Sequence, residues 1–491
     1  MNKINNIAIE KLLTFFSLLL WLSLALKAVL DVDRNYDTWV YHLPFAARLL
    51  GMMPADALVF DGYFEPRYHG FGVLGEYLQG LFWLVTGRPE SANLVGYLSL
   101  ILFIVFLKKY FNVPYYLSTI ALLAIPIVQI HATSSYIDLP SAIALATLMM
   151  MTYYLYITSV PITKMDMFII FLSSLVSANM RLQFVPIVFL TLCFTAYRLI
   201  GTTVISPHQK TRSQKNVNTV VLLLAVIIIF YTPVKNLLIY GNPVYPVVVK
   251  FAGIELNHTE ETPPEPELPG YGLSRPALWL YSVFEIVPSP LFDGNWTIDQ
   301  GGSRGLGNQF GGYFGAYVLF NLILFIYLVV SGHSKATTRA VFLLLTITAV
   351  TAFMPSSPRL RYYMYWMIVL VAMNLALICQ MARLGRLTDV ISPKNMGIIC
   401  LIVFSVVVFK TNAQYIRPLF YSFSHFSEQK IDKTLLAHIH SGDNVCIKLT
   451  QPQWIFLYSS VFQKNINYSI TSWEHHELCK SRILLTANND S

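Results

Sequence analysis

Three aspartates lie within seven residues in the segment DVDRNYDTWVYH, directly after a long apolar stretch. A carboxylate that is held at a membrane boundary and partly shielded from water can act as a general base. Asp31, Asp33 and Asp37 cannot all be strongly buried, because like charges repel each other. We predict that Asp37, which precedes an aromatic stretch with helical spacing, faces inward. The alternative is an acidic loop at the membrane interface that only marks topology.

A second acidic position lies in the segment SSYIDLP, where Tyr136 and Asp138 are candidates for the same site. The local pattern favours another interpretation, because Asp138 precedes Leu139 and Pro140. An aspartate followed by a proline in the first turn is typical of a helix N-cap. Both interpretations stay open at this point.

Arginines are the candidate partners of an anionic substrate. Arg359 and Arg361 in the segment SPRLRYYMYW could grip a phosphate that stays attached to a lipid. They could instead extend to the interface beside an aromatic belt. Arg181 lies between two short apolar runs, where an ionisable residue is a functional candidate unless it only satisfies backbone carbonyls. Lys235 could add positive charge near this site or simply lie at the interface.

The sequence predicts no metal centre and no nucleotide cofactor. His69 and His258 suggest no metal-ligand cluster, and two carboxylates alone do not define a divalent cation site, although they do not exclude one. No Walker motif, dinucleotide fingerprint or Gly-x-Ser-x-Gly elbow is present. Cys446 and Cys479 could form a disulfide if their segment lies in an oxidising compartment.

The composition indicates which elements position these residues. The chain has 491 residues, of which 55% are hydrophobic and only 12% charged, so it belongs to the class of membrane proteins. We predict about eleven transmembrane helices in an all-α bundle, at 12–30, 92–107, 113–131, 139–158, 166–180, 182–198, 218–236, 313–331, 339–354, 362–382 and 396–411. The pair at 166–180 and 182–198 is short and could form a partly re-entrant hairpin.

The net charge of +8 reflects basic residues in short loops between the spans, and not a nucleic-acid-binding face. This distribution predicts a cytoplasmic N-terminus and a periplasmic C-terminus in a bacterial inner membrane. The first long loop (31–91), the second long loop (237–312) and the tail (412–491) then lie on the periplasmic side. We accordingly divide the chain into a transmembrane domain, 1–411, and a small C-terminal domain, 412–491.

The long loops and the tail carry their own structural signals. Residues 38–51 and 71–86 have the spacing of amphipathic helices that lie in the membrane interface. The glycine-rich stretch GGSRGLGNQFGGYFG is typical of a loop that covers a substrate. The tail predicts a small α/β unit, with a helix at 428–440 and strands at 444–450 and 482–486.

These segments, in this order, resemble the GT-C class of membrane glycosyltransferases. The nearest likeness is to bacterial members related to the protein O-mannosyltransferases and the lipid A aminoarabinose transferase. The resemblance covers roughly residues 10–412 and is carried by DVDRNYDTWVYHLP, SYIDLP, GNPVYP and SPRLRYY. It implies that Asp37 is the catalytic base, with Asp33 as the alternative base, and that Asp138 is the second acidic residue. It also implies a polyprenyl-phosphate sugar as donor and inversion at the anomeric carbon.

We therefore expect transfer of a sugar from a lipid-phosphate carrier to a glycan, lipid or protein acceptor. The donor phosphate would lie near Arg359, Arg361, Arg181 and Lys235, and the sugar or acceptor near Tyr41, His42, Tyr136 and His69. Two alternatives are a lipid or glycolipid transporter and a glycan ligase that uses a diphosphate-linked donor. The transporter is less favoured, since the charges lie at one interface and no internal repeat is visible.

Overall fold

The structure is a computed structural model of the chain. It describes residues 2–54, 56–60, 63–204, 212–248, 250–251, 254–256, 273–285, 296, 310–386, 391–463, 466–474 and 476–486. Most of the predicted substrate cover, as far as residue 309, lies outside the described residues. The same holds for His258 and for the proline-rich part of the second long loop.

Helices make up most of the described chain. In the membrane region these are α1 (Asn2–Leu30), α5 (Leu94–Phe111), α6 (Tyr115–Leu123), α7 (Pro126–His131), α8 (Asp138–Ile157), α9 (Lys164–Met180), α10 (Val185–Val204), α11 (Arg212–Ile229), α12 (Tyr231–Tyr240), α14 (Tyr313–Gly332), α15 (Lys335–Phe353), α16 (Met364–Arg383) and α17 (Pro393–Lys410). The two long loops add a π-helical turn (Thr38–His42), α2 (Leu43–Leu49), α3 (Phe64–Gly70), α4 (Leu74–Thr86), the hairpin strands β1 (Lys250–Phe251) and β2 (Ile254–Glu255), and α13 (Arg275–Val283).

Within the described residues, eight helices are long and apolar enough to cross a membrane, or nine if the bent pair α11–α12 counts as one span. The chain is therefore a multi-pass membrane protein with a helical bundle, as predicted. Three of the eleven predicted spans are not simple crossings. The stretch 113–131 is broken before Pro126 into α6 and α7, because a proline ends the preceding helix. Helix α9 has 17 residues, and α11 and α12 meet at an angle of 77°.

The centre of the bundle is α16, whose apolar window is 94% buried. It packs against α8 and α14, and less extensively against α6. Helices α6 and α7 are also almost completely enclosed, although they are short. By contrast, the apolar window of α17 is only 28% buried, as expected for a helix at the periphery of a bundle in lipid.

The tail forms the predicted α/β unit. Its elements are α18 (Phe423–Lys430), α19 (Lys433–Leu436), β3 (Asn444–Lys448), β4 (Ser469–Ser472) and β5 (Ile483–Thr486). The strands form a parallel sheet in the order β4-β3-β5. Both predicted strands are confirmed, whereas the predicted helix at 428–440 is divided into two shorter helices. A disulfide joins Cys446 in β3 to Cys479 before β5.

The tail shares a hydrophobic core with the first long loop. Trp39 is fully buried, and its ring lies 5.1 Å from that of Phe426 and 6.3 Å from that of Phe456. The backbone of Val59 donates to Ile470 at 2.9 Å, which adds a bridge to the edge of the tail sheet. The tail therefore contacts the transmembrane bundle largely through the first long loop.

Candidate active site

A cavity of about 410 Å³ lies where the first long loop meets the start of α8 and the segments 180–183 and 359–362. Seven of the residues predicted from the sequence line it, namely Asp37, Tyr41, His42, Asp138, Arg181, Arg359 and Arg361. They come from positions up to 324 residues apart in the chain. The fold thus brings together the first acidic motif, the second acidic motif and the late arginine motif.

Two arginine–aspartate pairs form the charged part of the cavity wall. Arg361 Nη1 donates to Asp37 Oδ2 at 3.1 Å, and the two side chains are 12% and 14% exposed. Arg181 Nη1 donates to Asp138 Oδ1, and this second pair is more deeply buried. Since Asp37 keeps an exposed fraction, its carboxylate is the one of the two that a substrate reaches more easily.

Tyr362 connects three arginines. The guanidinium of Arg181 lies over its ring at 4.3 Å, while Arg359 and Arg361 donate to its hydroxyl at 3.4 and 3.3 Å. The cavity wall as a whole carries four arginines against three carboxylates, which leaves one formal positive charge in excess, from Arg67, Arg181, Arg359 and Arg361 against Asp37, Glu76 and Asp138. An excess of guanidinium groups in a partly buried wall favours an anion such as a phosphate.

Asp138 does not cap its helix. Helix α8 begins at Asp138 itself, Ile137 occupies the N-cap position, and no side-chain cap bond is formed there. The interpretation as a helix cap is therefore wrong, because the carboxylate pairs with Arg181 from the next hairpin. The local pattern did identify the helix start and the proline in its first turn correctly.

A buried histidine–glutamate pair lies on the same wall. His42 Nδ1 is 2.8 Å from Glu76 Oε1, and the two residues are 1% and 3% exposed. His42 comes from the π-helical turn and Glu76 from α4, so the pair joins two parts of the first long loop. Sequence reasoning missed Glu76 as a site residue. The available signal was an isolated acidic residue within the apolar stretch 71–86.

Two predicted tyrosines occupy different layers of the wall. Burial, together with the charge of Asp37, raises the pKa of Tyr41 well above its ordinary value, so its hydroxyl stays protonated. Tyr136 lies behind the cavity surface and is fully buried. Its hydroxyl accepts a hydrogen bond from the backbone N–H of Asp37 at 3.2 Å. Tyr136 thus positions Asp37, whereas Tyr41 lines the cavity.

Three predicted residues lie away from this cavity. Asp33 lines a separate polar cavity beside the tail. It accepts hydrogen bonds from the backbone N–H of Ser135 and the hydroxyl of Thr38, both at 2.8 Å. Lys235 donates to the backbone carbonyl of His69, and the imidazole of His69 contacts Glu65 at the protein surface. The geometry therefore favours Asp37 over Asp33 as the reactive acid.

Glycine allows the first long loop to approach the bundle at the cavity. Gly72 lies on the cavity wall, and a Cβ atom there would overlap the backbone of Asn179 at the end of α9. Gly70 lies against the predicted GNPVYP turn, where a Cβ atom would be 2.5 Å from the carbonyl oxygen of Tyr245. Asn236 donates to the carbonyl of Gly70 at 2.7 Å and so holds this contact.

An apolar groove of about 540 Å³ adjoins the cavity. It runs between α4, α5, α8 and α9, from Leu78 near the first long loop to Lys109 and Met165 at the other end. Met180 lines both the groove and the polar cavity, and the next residue is Arg181. The polar cavity and the apolar groove therefore lie on either side of Met180, next to Arg181.

Across the described part of the chain, no group of three or more His, Cys, Asp or Glu side chains is placed to hold a metal ion. The carboxylates of Asp37 and Asp138 are paired with arginines, and that of Glu76 with His42. The residues present therefore suit recognition of an anion and transfer of a proton.

Comparison with known proteins finds similarity to solved structures only. No family model matches the chain, and no curated protein matches it significantly. Two crystal structures of ArnT from Cupriavidus metallidurans are similar, one bound to undecaprenyl phosphate and one in the apo state. Each has 10% sequence identity, a TM-score of 0.48 and a match over 97% of this chain, which covers 89% and 88% of the respective ArnT chains. At this identity and TM-score, the likeness assigns no family, activity or ligand to the chain.

Proposed function

We propose that this protein is a membrane glycosyltransferase that transfers a sugar from a polyprenyl-phosphate-linked donor to a glycan, lipid or protein acceptor. The observation that carries the proposal is the convergence of Asp37 and three arginines in one cavity that shares the wall residue Met180 with an apolar groove. A carboxylate, a cationic cluster and an apolar channel are what a lipid-phosphate sugar requires. The motifs that resemble the GT-C class supply Asp37, Arg359 and Arg361, whereas Arg181 lies outside these motifs.

The donor would occupy both spaces at once. Its phosphate would bind the guanidinium groups of Arg181, Arg359 and Arg361, and its polyprenyl chain would lie in the groove beyond Met180. Arg359 has no carboxylate partner among the described residues, so it is available to a phosphate. Since Arg181 follows Met180 directly, the boundary between phosphate and lipid would coincide with the boundary between the polar and apolar spaces.

Asp37 would act as the general base. It accepts the proton of an acceptor hydroxyl, and the oxygen forms a bond to the anomeric carbon from the side opposite the phosphate. The bond from that carbon to the phosphate oxygen breaks, and the electron pair leaves with the polyprenyl phosphate. The arginines stabilise the leaving group as its charge develops. Attack from the opposite side inverts the configuration, as the resemblance implies.

The acceptor can be found by comparing surface glycans of cells with and without the gene by mass spectrometry. Purified protein in lipid nanodiscs is then given that acceptor and undecaprenyl-phosphate-linked hexoses or pentoses. We expect release of undecaprenyl phosphate in step with glycosylated product. Release of a diphosphate from a diphosphate-linked donor would indicate the glycan ligase instead. In proteoliposomes, transport of the donor across the bilayer without release of undecaprenyl phosphate or diphosphate would overturn the proposed transferase.

We further propose that the cavity faces the periplasm of a bacterial inner membrane, with the N-terminus in the cytoplasm. The supporting observations are the basic short loops and the disulfide of the tail, which forms in oxidising compartments. A periplasm-specific reporter fused after Asn412 should be active. A fusion at the same position that is active only as a cytoplasmic reporter would place the cavity on the wrong side of the membrane.

A further inference from the structure

The buried pair of His42 and Glu76 has hydrogen-bonding capacity that the protein does not use. His42 Nδ1 and Glu76 Oε1 form a hydrogen bond with each other. His42 Nε2 and Glu76 Oε2 are also buried, and neither has a hydrogen-bond partner among the described residues. Buried polar atoms are normally satisfied, and an unsatisfied one costs about 1–3 kcal/mol. Both atoms therefore retain the capacity to form a hydrogen bond with a bound ligand.

The chemistry of the free atoms defines what they can bind. A carboxylate only accepts hydrogen bonds, so the imidazole nitrogen beside Glu76 Oε1 carries a proton. In the neutral ring, Nε2 is then an acceptor, and Glu76 Oε2 is a second acceptor. A ligand that satisfies them must donate hydrogen bonds. Hydroxyl and ammonium groups do so, whereas ether, acetal and methyl groups do not.

The pair lies close to the arginines that would hold the phosphate. The ring of His42 is 5.5 Å from that of Tyr136, and the guanidinium of Arg361 lies over the same tyrosine ring at 5.5 Å. Both His42 and Glu76 line the cavity. A sugar attached to a phosphate at the arginines, or an acceptor sugar beside it, would therefore meet the pair.

The local backbone supports a dedicated role for His42. Residues Thr38–His42 form a π-helical turn. This conformation is rare in proteins as a whole, and where it occurs it often lies at a functional site. Within this turn, Trp39 enters the core of the tail while His42 reaches α4 on the cavity side. The turn therefore supplies both a core residue of the tail and a histidine that lines the cavity.

We propose that His42 and Glu76 together recognise one hydrogen-bond-donating substituent, a hydroxyl or an ammonium, of a sugar bound in the cavity. The pair would thereby determine which sugar is used. This inference rests on the proposed function and adds a specificity-determining site to it. The substituent could belong to the transferred sugar or to an acceptor sugar, and the experiment separates these two sources.

The test uses substrates that lack one substituent at a time. Wild-type protein, His42→Ala and Glu76→Gln are assayed with the parent donor and acceptor, and with analogues in which each hydroxyl or amine is replaced by hydrogen. With the parent substrates, each variant should lose about 10- to 100-fold in kcat/KM. With the analogue that lacks the recognised substituent, the same variants should differ from wild type by less than about twofold, because the contact is already absent.

The identity of that analogue assigns the source, since the missing substituent lies either on the donor or on the acceptor. Gln79→Ala is the matched control. Gln79 lies on the same helix, is fully buried and also has an unsatisfied oxygen, but it does not line the cavity. The substitution Gln79→Ala should change kcat/KM by the same factor for every substrate and analogue. An equal effect of His42→Ala on every analogue would show a structural role and overturn the inference.

Failure of the proposed function would be visible separately. If wild-type protein releases no undecaprenyl phosphate from any donor, the transferase proposal fails. A binding experiment can then still test whether His42 and Glu76 recognise a sugar substituent. The probes are then undecaprenyl-phosphate mannose, undecaprenyl-phosphate glucosamine and bare undecaprenyl phosphate. The inference expects wild type to bind one sugar-bearing lipid more tightly and His42→Ala to lose that preference. Equal affinities of wild type for all three probes, together with equal affinities of wild type and His42→Ala for the acceptor sugar, would overturn it.

Discussion

The two sides of the segment 31–42 use the same residue types for different purposes. On the tail side, Asp31 accepts from the backbone N–H groups of Leu419 and Tyr421 at 2.8 and 3.0 Å and pairs with Lys27. On the cavity side, Asp37 is paired with one arginine and remains partly exposed. A carboxylate whose oxygens accept backbone N–H groups holds the fold. A carboxylate that lines a cavity and stays partly exposed can exchange a proton with a substrate.

The largest expected effect distinguishes Asp37 from Asp33. Asp37→Asn keeps the size of the side chain and can still accept a hydrogen bond from Arg361, but it cannot take up a proton at neutral pH. General-base catalysis contributes about 10²–10⁴-fold, so turnover should fall by that factor while donor binding stays nearly unchanged. The measurement is kcat with the donor and acceptor identified above, together with the dissociation constant of the donor.

Asp33→Asn is the control for this comparison. It weakens hydrogen bonds to Ser135 and Thr38, which should cost about 1–3 kcal/mol of stability but leave the turnover of folded protein near wild type. An inactive Asp33→Asn protein beside an active Asp37→Asn protein would show that the base lies on the tail side. Activity in both would remove the general base from this segment altogether.

The next effect concerns the tail side. Trp39 is fully buried among aromatic residues of the tail, and its indole N–H donates to the carbonyl of Asp33 at 2.6 Å. Trp39→Ala should destabilise the fold by about 3–5 kcal/mol, because it leaves a large cavity. Thermal unfolding in detergent measures this. Trp39→Phe is the matched variant and should lose less, since it fills most of the volume. Unchanged melting of Trp39→Ala would contradict the shared core.

A smaller effect is expected at the arginines. Arg359→Ala should raise the dissociation constant of undecaprenyl phosphate about 10-fold, since one charge-assisted contact to the phosphate is lost. Arg359→Lys should recover only part of the affinity, because lysine lacks the planar pair of donors. Arg339, on the opposite side of the bundle in a different groove, is the control. Equal affinities of wild type and Arg359→Ala would remove Arg359 from the phosphate site.

Much of this arrangement could be predicted from the sequence because the relevant signals are local. Long apolar runs predicted the helices, and acidic or arginine-containing segments at their ends predicted seven of the residues that line the cavity. Resemblance to the GT-C class joined motifs that are hundreds of residues apart. The strands at 444–450 and 482–486 followed from short apolar runs between polar turns.

The remaining features depend on contacts between distant segments. The pattern at Asp138 fits a helix cap, and only the position of Arg181 shows that its carboxylate is used differently. Glu76 is a single acid on an apolar helix, and its role depends on where His42 lies. The break between α11 and α12 carries no strong local signal beyond a nearby proline. Packing in three dimensions decides each of these cases.

The smallest effect concerns Glu65, an acid of the first long loop that belongs to neither side. Arg48 donates to both of its oxygens, at 2.7 and 2.9 Å. Burial raises the pKa of Glu65, but the hydrogen bonds and charge of Arg48 outweigh this and lower it below the ordinary value of 4.5. Because the pKa of Glu65 is lower in the folded than in the unfolded protein, its ionised carboxylate stabilises the fold at pH values above the unfolded-state pKa. This stabilisation is lost as the pH falls through the folded-state pKa.

Because the Glu65 side chain is 36% exposed, water screens the pair and its contribution should be below about 1 kcal/mol. Glu65→Gln should therefore lower the melting temperature slightly at pH 7, and this difference from wild type should shrink as the pH falls below 4.5. High salt should reduce it as well. Glu65→Gln should leave turnover unchanged, since the residue does not line the cavity. A difference in melting temperature that is equal at pH 7 and at low pH would mean that packing, and not charge, stabilises this contact.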